Sequence, residues 1–340
     1  MALLWIDGFE GYGTSGNVSG LTGRYFSTSQ AQYAVITPGR IAGYAVGQTT
    51  TTAAISFTTP NLTTDPTMTV GTAFWINGTQ YNAGITLYDN ATAGVSVYVY
   101  PTAPNSTIVV KVGNTTVATY TDFLIALNTW YYLELKVFCH SSSGTIEVRL
   151  DGVTLGTLAG INTQTGVDAY YNRVTLGFYA TAAFDDFYVC DGSGSSLNDF
   201  QGVCKVLGLF PNADTSTIQW TPSTGTTHYN LVDENPANGA TDYVSTSTQA
   251  NTDLYTYPSL VGTGTILGLQ VNTTVALPSG TSAIIESPIY SNDVLELGPD
   301  TTITSTSYAD VRHISTTDPN TGSAWTVTNL AAAKIGIRMM

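Results

Sequence analysis

The acidic side chains are the first place to look for chemistry, and they are poorly arranged for it. Cleaving a glycosidic bond takes two carboxyl groups on either side of the sugar, one as acid and one as base or nucleophile. The six glutamates, Glu10, Glu134, Glu147, Glu234, Glu286 and Glu296, are scattered along the chain. The densest acidic pair is Asp185-Asp186, in the run FDDFYVCDG. Successive strand residues point to opposite faces, so only one of the two can look into a groove. The pair reads as a strand-edge or turn-stabilising feature ahead of acid-base or calcium chemistry. Glu234, next to Asp233 in VDENPANG, sits among turn formers whose backbone geometry accounts for it. The histidines His140, His228 and His313 lie far apart, and Cys139, Cys190 and Cys204 show no ligand spacing. Buried apolar thiols are the expected state of the cysteines, with a Cys190–Cys204 disulfide as the alternative. No G-x-S-x-G, H-E-x-x-H or P-loop pattern occurs, so an enzyme is not expected.

Sugar binding uses a different inventory: aromatic faces for the rings, and Asn, Asp or backbone groups for the hydroxyls. The chain has 21 Tyr and 5 Trp. Tyr98, Tyr100, Tyr131, Tyr170, Tyr171 and Tyr179 fall in the first half or just beyond it, although Tyr also simply suits half-buried strands. Tyr170-Tyr171-Asn172 stands apart because it precedes a strand and is expected on a rim loop. With Asp185 and Asp186, these three are the candidate ligand-binding residues. Trp5, Trp75 and Trp130 are expected in the core.

The elements that must carry these residues are strands. WYYLELKVF, GTIEVRLDGVTLGTL and FDDFYVCDG alternate apolar and polar residues between turns. Leu133, Leu135 and Val137 share one face with Glu134 and Lys136 on the other, and Asp151-Gly152 supplies a hairpin turn. Val95, Val97 and Val99 likewise oppose Tyr98 and Tyr100. TIVVKV, Gly113-Asn114 and TTVATY form a second hairpin. LLWIDGFE, the first strand, is expected beside FDDFYVCD, the last of this region, because each would otherwise leave an open edge. Gly11 to Gly23 reads as an exposed loop. The Gly/Ser run Asp191 to Ser196 reads as a linker, dividing a first domain over 1–195 from a smaller one over 196–340.

Composition limits the partners. There are 24 Asp+Glu against 10 Lys+Arg, a formal net charge of −14, yet charged residues make up only 10%. An acidic surface repels phosphate backbones and anionic lipid, so neither nucleic acid nor membrane is expected. No apolar window is long enough for a span, and the N-terminal segment lacks a basic region before its apolar run, so synthesis in a cytoplasm is expected. With 33 Gly and 13 Pro, and Thr, Ser and Asn in place of strong helix formers, almost no helix is expected.

On Trp130 to Glu134, the hairpin Ile146 to Gly152 and FDDFYVCDG from Phe184, the first domain resembles the concanavalin A-like, laminin G-like jelly-roll family. The resemblance implies an all-β fold, a concanavalin A-like jelly-roll sandwich followed by a smaller immunoglobulin-like β-sandwich. Lectins, glycosidases and structural modules share that fold. It also implies calcium held by loop Asp and Asn oxygens, at positions not assigned in this chain; no other cofactor is expected. Jelly-roll glucanases carry an E-x-D-x-x-E strand, which is missing here. DDFYVCDGSGSSLNDFQG, the stretch from Leu209 to Tyr255 and WTVTNLAAAKIGIR are similar to virion proteins of tailed bacteriophages. That resemblance implies a non-enzymatic structural protein on the virion surface, a head decoration or tail appendage made in the bacterial host cytoplasm. Its partners would be other capsid or tail proteins, host-surface glycan and further copies of itself. A free carbohydrate-binding module and a glycan depolymerase acting in host adsorption are the alternatives.

Overall fold

The computed structural model describes residues 2–14, 21–26, 33–41, 43–48, 54–79, 82–102, 104–179, 181–260 and 264–340. The chain forms two compact units, Met1–Leu207 and Gly208–Met340.

Among the described residues, the first unit holds fourteen strands in two sheets. They are β1 (Leu3–Asp7), β2 (Ala34–Ile36), β3 (Ala45–Gly47), β4 (Ala54–Thr58), β5 (Thr67–Ile76), β6 (Asn82–Asp89) and β7 (Thr92–Tyr100). There follow β8 (Thr107–Val112), β9 (Thr115–Tyr120), β10 (Trp130–Phe138), β11 (Gly144–Leu150), β12 (Val153–Ile161), β13 (Arg173–Tyr179) and β14 (Ala182–Asp191). The larger sheet runs β12-β11-β10-β5-β14-β3-β2 with β1 also on β14, and the smaller runs β4-β13-β6-β7-β8-β9. All of the pairings are antiparallel. This is the expected all-β jelly-roll sandwich, and β1 pairs with β14 as edge closure requires, Ile6 opposite Tyr188.

Alternation explains which side chains meet between the sheets. Val95, Val97 and Val99 of β7, Ile85 and Leu87 of β6, and Leu133, Leu135 and Val137 of β10 are all buried in one apolar cluster. Each such side chain contributes about 1.5–3 kcal/mol by leaving water. Phe57 anchors one corner, with Phe9, Tyr25, Tyr33 and Phe184 edge-on or tilted around it at 4.9–6.2 Å. The turns follow their chemistry: Asp151 (φ 49°) and Gly152 (φ 78°) close β11 to β12 in the left-handed region, as does Gly113 (φ 57°) between β8 and β9.

Three expectations need correction. Trp5 is in the core, but Trp75 and Trp130 are only half-buried. They face each other across β5 and β10, on the side of the larger sheet away from the sandwich interior. Residues 198–206 do not belong with the second unit. Lys136 reaches Asp199 at 2.9 Å, Gln201 N donates to Tyr188 at 3.0 Å, and Val206 N donates to Asp186 at 2.7 Å, so this stretch is a strap on the first unit and the division falls at Leu207. Finally, the loop Gly11 to Gly23 contains a turn of 3-10 helix at Glu10–Tyr12 and leads into a short helix at Leu21–Arg24, while its residues 15–20 lie outside those described.

The second unit is a smaller β-sandwich. A seven-stranded sheet, with Thr252–Thr256 and Lys334–Met339 at its centre, packs against the ribbon Leu269–Val275 and Ala309–Ser315 through Ile285, Ile337, Val275 and Val311. Its α-helix Val327–Ala332 is capped by Thr326, which accepts Asn329 N–H at 3.1 Å. Among the described residues, no helix is long and apolar enough to cross a membrane.

Gly71 marks the tightest place in the larger sheet: a Cβ there would lie 2.2 Å from Tyr188 Cε1 and 3.0 Å from Tyr132 Cε1. Gly71→Ala is expected to cost about 1–3 kcal/mol by overpacking, read as a lower denaturation midpoint; an unchanged midpoint would contradict this packing.

Candidate functional site

Two of the three rim residues anticipated from the sequence, Tyr171 and Asn172, turn out to lie inside. Tyr171 is 1% exposed, its hydroxyl donates to the Thr163 carbonyl, and its ring packs where a Cβ on Gly94 would stand. Asn172 is buried as well; its Oδ1 accepts Asn90 N–H and its Nδ2 donates to Asn90 Oδ1, both at 2.9 Å. These two therefore pin the β6–β7 turn to β13, and neither offers a face or an amide to a sugar. Tyr170 keeps exposed surface, and its phenol is held above its ordinary pKa by Asp168.

Asp185 and Asp186 break the alternation on which their sequence reading rests. A bulge interrupts β14 between Asp185 and Tyr188, and Asp186 adopts φ 49°. Both carboxylates consequently reach one residue: Asp185 Oδ2 accepts the backbone N–H of Arg40 at 2.7 Å, and Asp186 Oδ2 accepts its guanidinium Nε–H at 2.5 Å. Asp186 Oδ1 takes Val206 N–H at 2.7 Å. The pair thus fastens the Arg40 turn and the strap to the sheet. Burial raises both carboxyls above the usual range, and it lifts nearby Glu10 to about 9, with Asp185 adding repulsion.

The strap crosses the outer side of the larger sheet over a second polar set. Glu134, fully buried, accepts Tyr188 OH at 2.6 Å and Gly202 N–H at 2.9 Å through Oε1. Tyr132 stacks on Tyr188 and bonds Cys204 Sγ at 3.0 Å. All three cysteines are free, and burial lifts Cys139 and Cys204 to about 11, which makes them unreactive thiols. The histidines are occupied too. His140 Nδ1 accepts two backbone N–H groups, His228 meets Asp253 at 2.7 Å, and His313 meets the Ser287 carbonyl at 2.7 Å. Among the described residues, no group of three or more His, Cys, Asp and Glu is placed to hold a metal ion.

What remains is the side of the smaller sheet that faces away from the core. With Val95, Val97 and Val99 inside, Ser96, Tyr98 and Tyr100 must point out; with Ile85 and Leu87 inside, Gly84, Thr86 and Tyr88 do. Register aligns Thr58, Thr175, Thr86, Ser96 and Lys111 in one row across five strands. In the next row Tyr98 lies opposite Gly84, and a Cβ on Gly84 would be 2.5 Å from Tyr98 Cδ1, so the glycine lets the ring lie flat across β6. Tyr98 OH is 3.1 Å from Thr86 Oγ1, and Lys111 Nζ stands 5.9 Å from the Tyr98 ring centre. Tyr88 and Tyr100 flank it, both raised in pKa by partial burial and then by Tyr98, so the phenols stay protonated as donors. The sequence reading named Tyr98, Tyr100 and Tyr179 but missed Tyr88, Thr86, Gly84 and Lys111. Alternation in NAGITLYD was the available signal for the first three.

No protein-family model matches the sequence, and no curated protein matches it. The structure is similar to a carbohydrate-binding module from Bacillus subtilis, at 14% identity over 44% of this chain and 87% of that one, with a TM-score of 0.32. It is similar also to an endo-β-1,4-glucuronan lyase from the fungus Trichoderma reesei (13% identity, 52% and 93% covered, TM-score 0.35). A third is a protein of unknown function with a galectin-like fold from Bacillus subtilis (12% identity, 47% and 87% covered, TM-score 0.34). The lyase overturns the expectation of a non-enzyme. That expectation rested on missing hydrolase motifs.

Because burial holds protons on Glu10 and Asp185 more tightly in the folded chain than in the unfolded one, folding is favoured at low pH. Stability is expected to fall as pH rises from about 5 to about 9, read as a thermal midpoint lower by several degrees. Glu10→Gln should flatten that slope; a slope of opposite sign would refute the assignment.

Proposed function

We propose that the first unit recognises glycan on the outward side of its smaller sheet, with Tyr98 as the stacking surface and the phenols of Tyr88 and Tyr100 reading hydroxyls. The observation that carries this is the flat Tyr98 ring over Gly84, between the half-exposed phenols of Tyr88 and Tyr100. A sugar's C–H face packs on an aromatic ring while its hydroxyls need donors and acceptors nearby, and the face supplies both. The setting we propose is the surface of a tailed phage particle, where such a module would touch host-surface glycan. The resemblance of the stretches at 185–202, 209–255 and 325–338 to virion proteins supports that setting. So does a low-charge, Ser/Thr-rich composition. In it the chain would assemble with capsid or tail proteins and with further copies of itself.

A glycan array with the purified chain tests the first part, and Tyr98→Ala is expected to weaken the best binder about tenfold or more, as loss of a stacking ring of about 1–3 kcal/mol does. An array without binders, or one unaffected by Tyr98→Ala, would refute the site. Release of reducing or unsaturated ends in the same incubations would show turnover. Immunogold labelling of particles tests the setting: label on neither head nor tail would exclude it.

A further inference from the structure

Charge is distributed unevenly between the two sheets. The chain has 24 Asp+Glu for 10 Lys+Arg, so a cation without a carboxylate partner is unusual in it. On the larger sheet the cations are paired: Lys136 with Asp199 at 2.9 Å, Arg149 with Glu147 at 2.8 Å, and Arg40, beside β14, with Asp186 at 2.5 Å. The smaller sheet differs. Its six strands contain one carboxylate, Asp89 at the end of β6, which is buried and accepts Asp168 N–H at 3.0 Å and Asn90 Nδ2 at 2.9 Å. They also contain two cations, Lys111 on β8 and Arg173 on β13. The polar partners of Arg173 are neutral, Asn61 Oδ1 at 2.6 Å and the Asn90 carbonyl at 3.2 Å, and its guanidinium lies 4.0 Å from the Phe26 ring centre. Lys111 stands beside the Tyr98 ring, in the row that continues through Ser96, Thr86 and Thr175. Three inter-strand steps separate β8 from β13, about 14 Å, and the tyrosines lie between.

Resting on the reading of this face as a glycan site, we infer that it selects an anionic glycan, with Lys111 pairing an acid group on the sugar stacked on Tyr98 and Arg173 fixing positive potential at the far side. An ammonium gains most from a full negative charge, and a hydroxyl could be met equally well by the tyrosines already there. The net charge of −14 opposes such a ligand at long range. Screening over about 8 Å at physiological salt leaves the local cations to decide once contact is made.

The test is calorimetric binding of three probes to the full chain: oligogalacturonate (carboxylated), dextran sulfate (sulfated) and cello-oligosaccharide (neutral). Oligogalacturonate or dextran sulfate is expected to bind at least about tenfold tighter than the neutral probe, and which of the two prevails identifies the acid group. Lys111→Gln should remove that preference by weakening the charged probe about tenfold more than the neutral one, whereas Tyr98→Ala should weaken every probe alike. Equal binding of charged and neutral probes, or a preference that survives Lys111→Gln, would overturn the charge selection and leave the glycan site standing. No binding by any probe, with Lys111→Gln and the parent chain equally folded by circular dichroism, would overturn both.

Discussion

The sandwich depends on one requirement: every strand must bury one of its two faces, and a pleated backbone then has no choice about where the other points. Burying Val95, Val97 and Val99 commits Ser96, Tyr98 and Tyr100 to the outside, and the same bargain on β6 brings Gly84 and Thr86 beside them. The proposed site is thus a by-product of core formation, held in place by the paired strands that form the core. A platform on paired strands keeps its geometry without ligand, which suits recognition by stacking.

The two sheets spend their outward faces differently. On the larger sheet, polar groups are consumed internally: Glu134 and Tyr188 take the strap, and Asp185 and Asp186 take Arg40 and the strap's end. Carboxylates buried this way stabilise only through the bonds they accept, and their raised pKa values reflect desolvation outweighing those bonds. The smaller sheet has no such cover from residues 198–206. Its phenols and cations keep partial exposure, which is where binding chemistry has room to act.

Fold was legible in the sequence because period-two patterning is a local signal. WYYLELKVF and GVSVYVY each show their inward and outward residues by alternation alone, and Asp151-Gly152 and Gly113 show where the chain must reverse. The site was less legible, for identifiable reasons. Tyr171-Asn172 looked like a rim because it precedes a strand, but a close approach at Gly94 draws the ring inward. Asp185-Asp186 looked like opposed residues, but a bulge turns both toward Arg40, and bulges leave no pattern in a sequence. The strap looked like the start of the second domain because its contacts are backbone amides meeting Glu134, Tyr188 and Asp186, contacts to which composition is blind.

By itself the sequence determined that this is an all-β protein, which residues go inward in regularly alternating strands such as β7 and β10, where the tight turns fall and how acidic the whole must be, since all of these follow from local patterning and counting. Only the tertiary structure decided which outward residues become neighbours. Lys111 meets Tyr98, and Tyr98 settles on Gly84, through cross-strand register between segments far apart in the chain. Register is chosen by the packing of the whole sandwich, so no single segment carries that information.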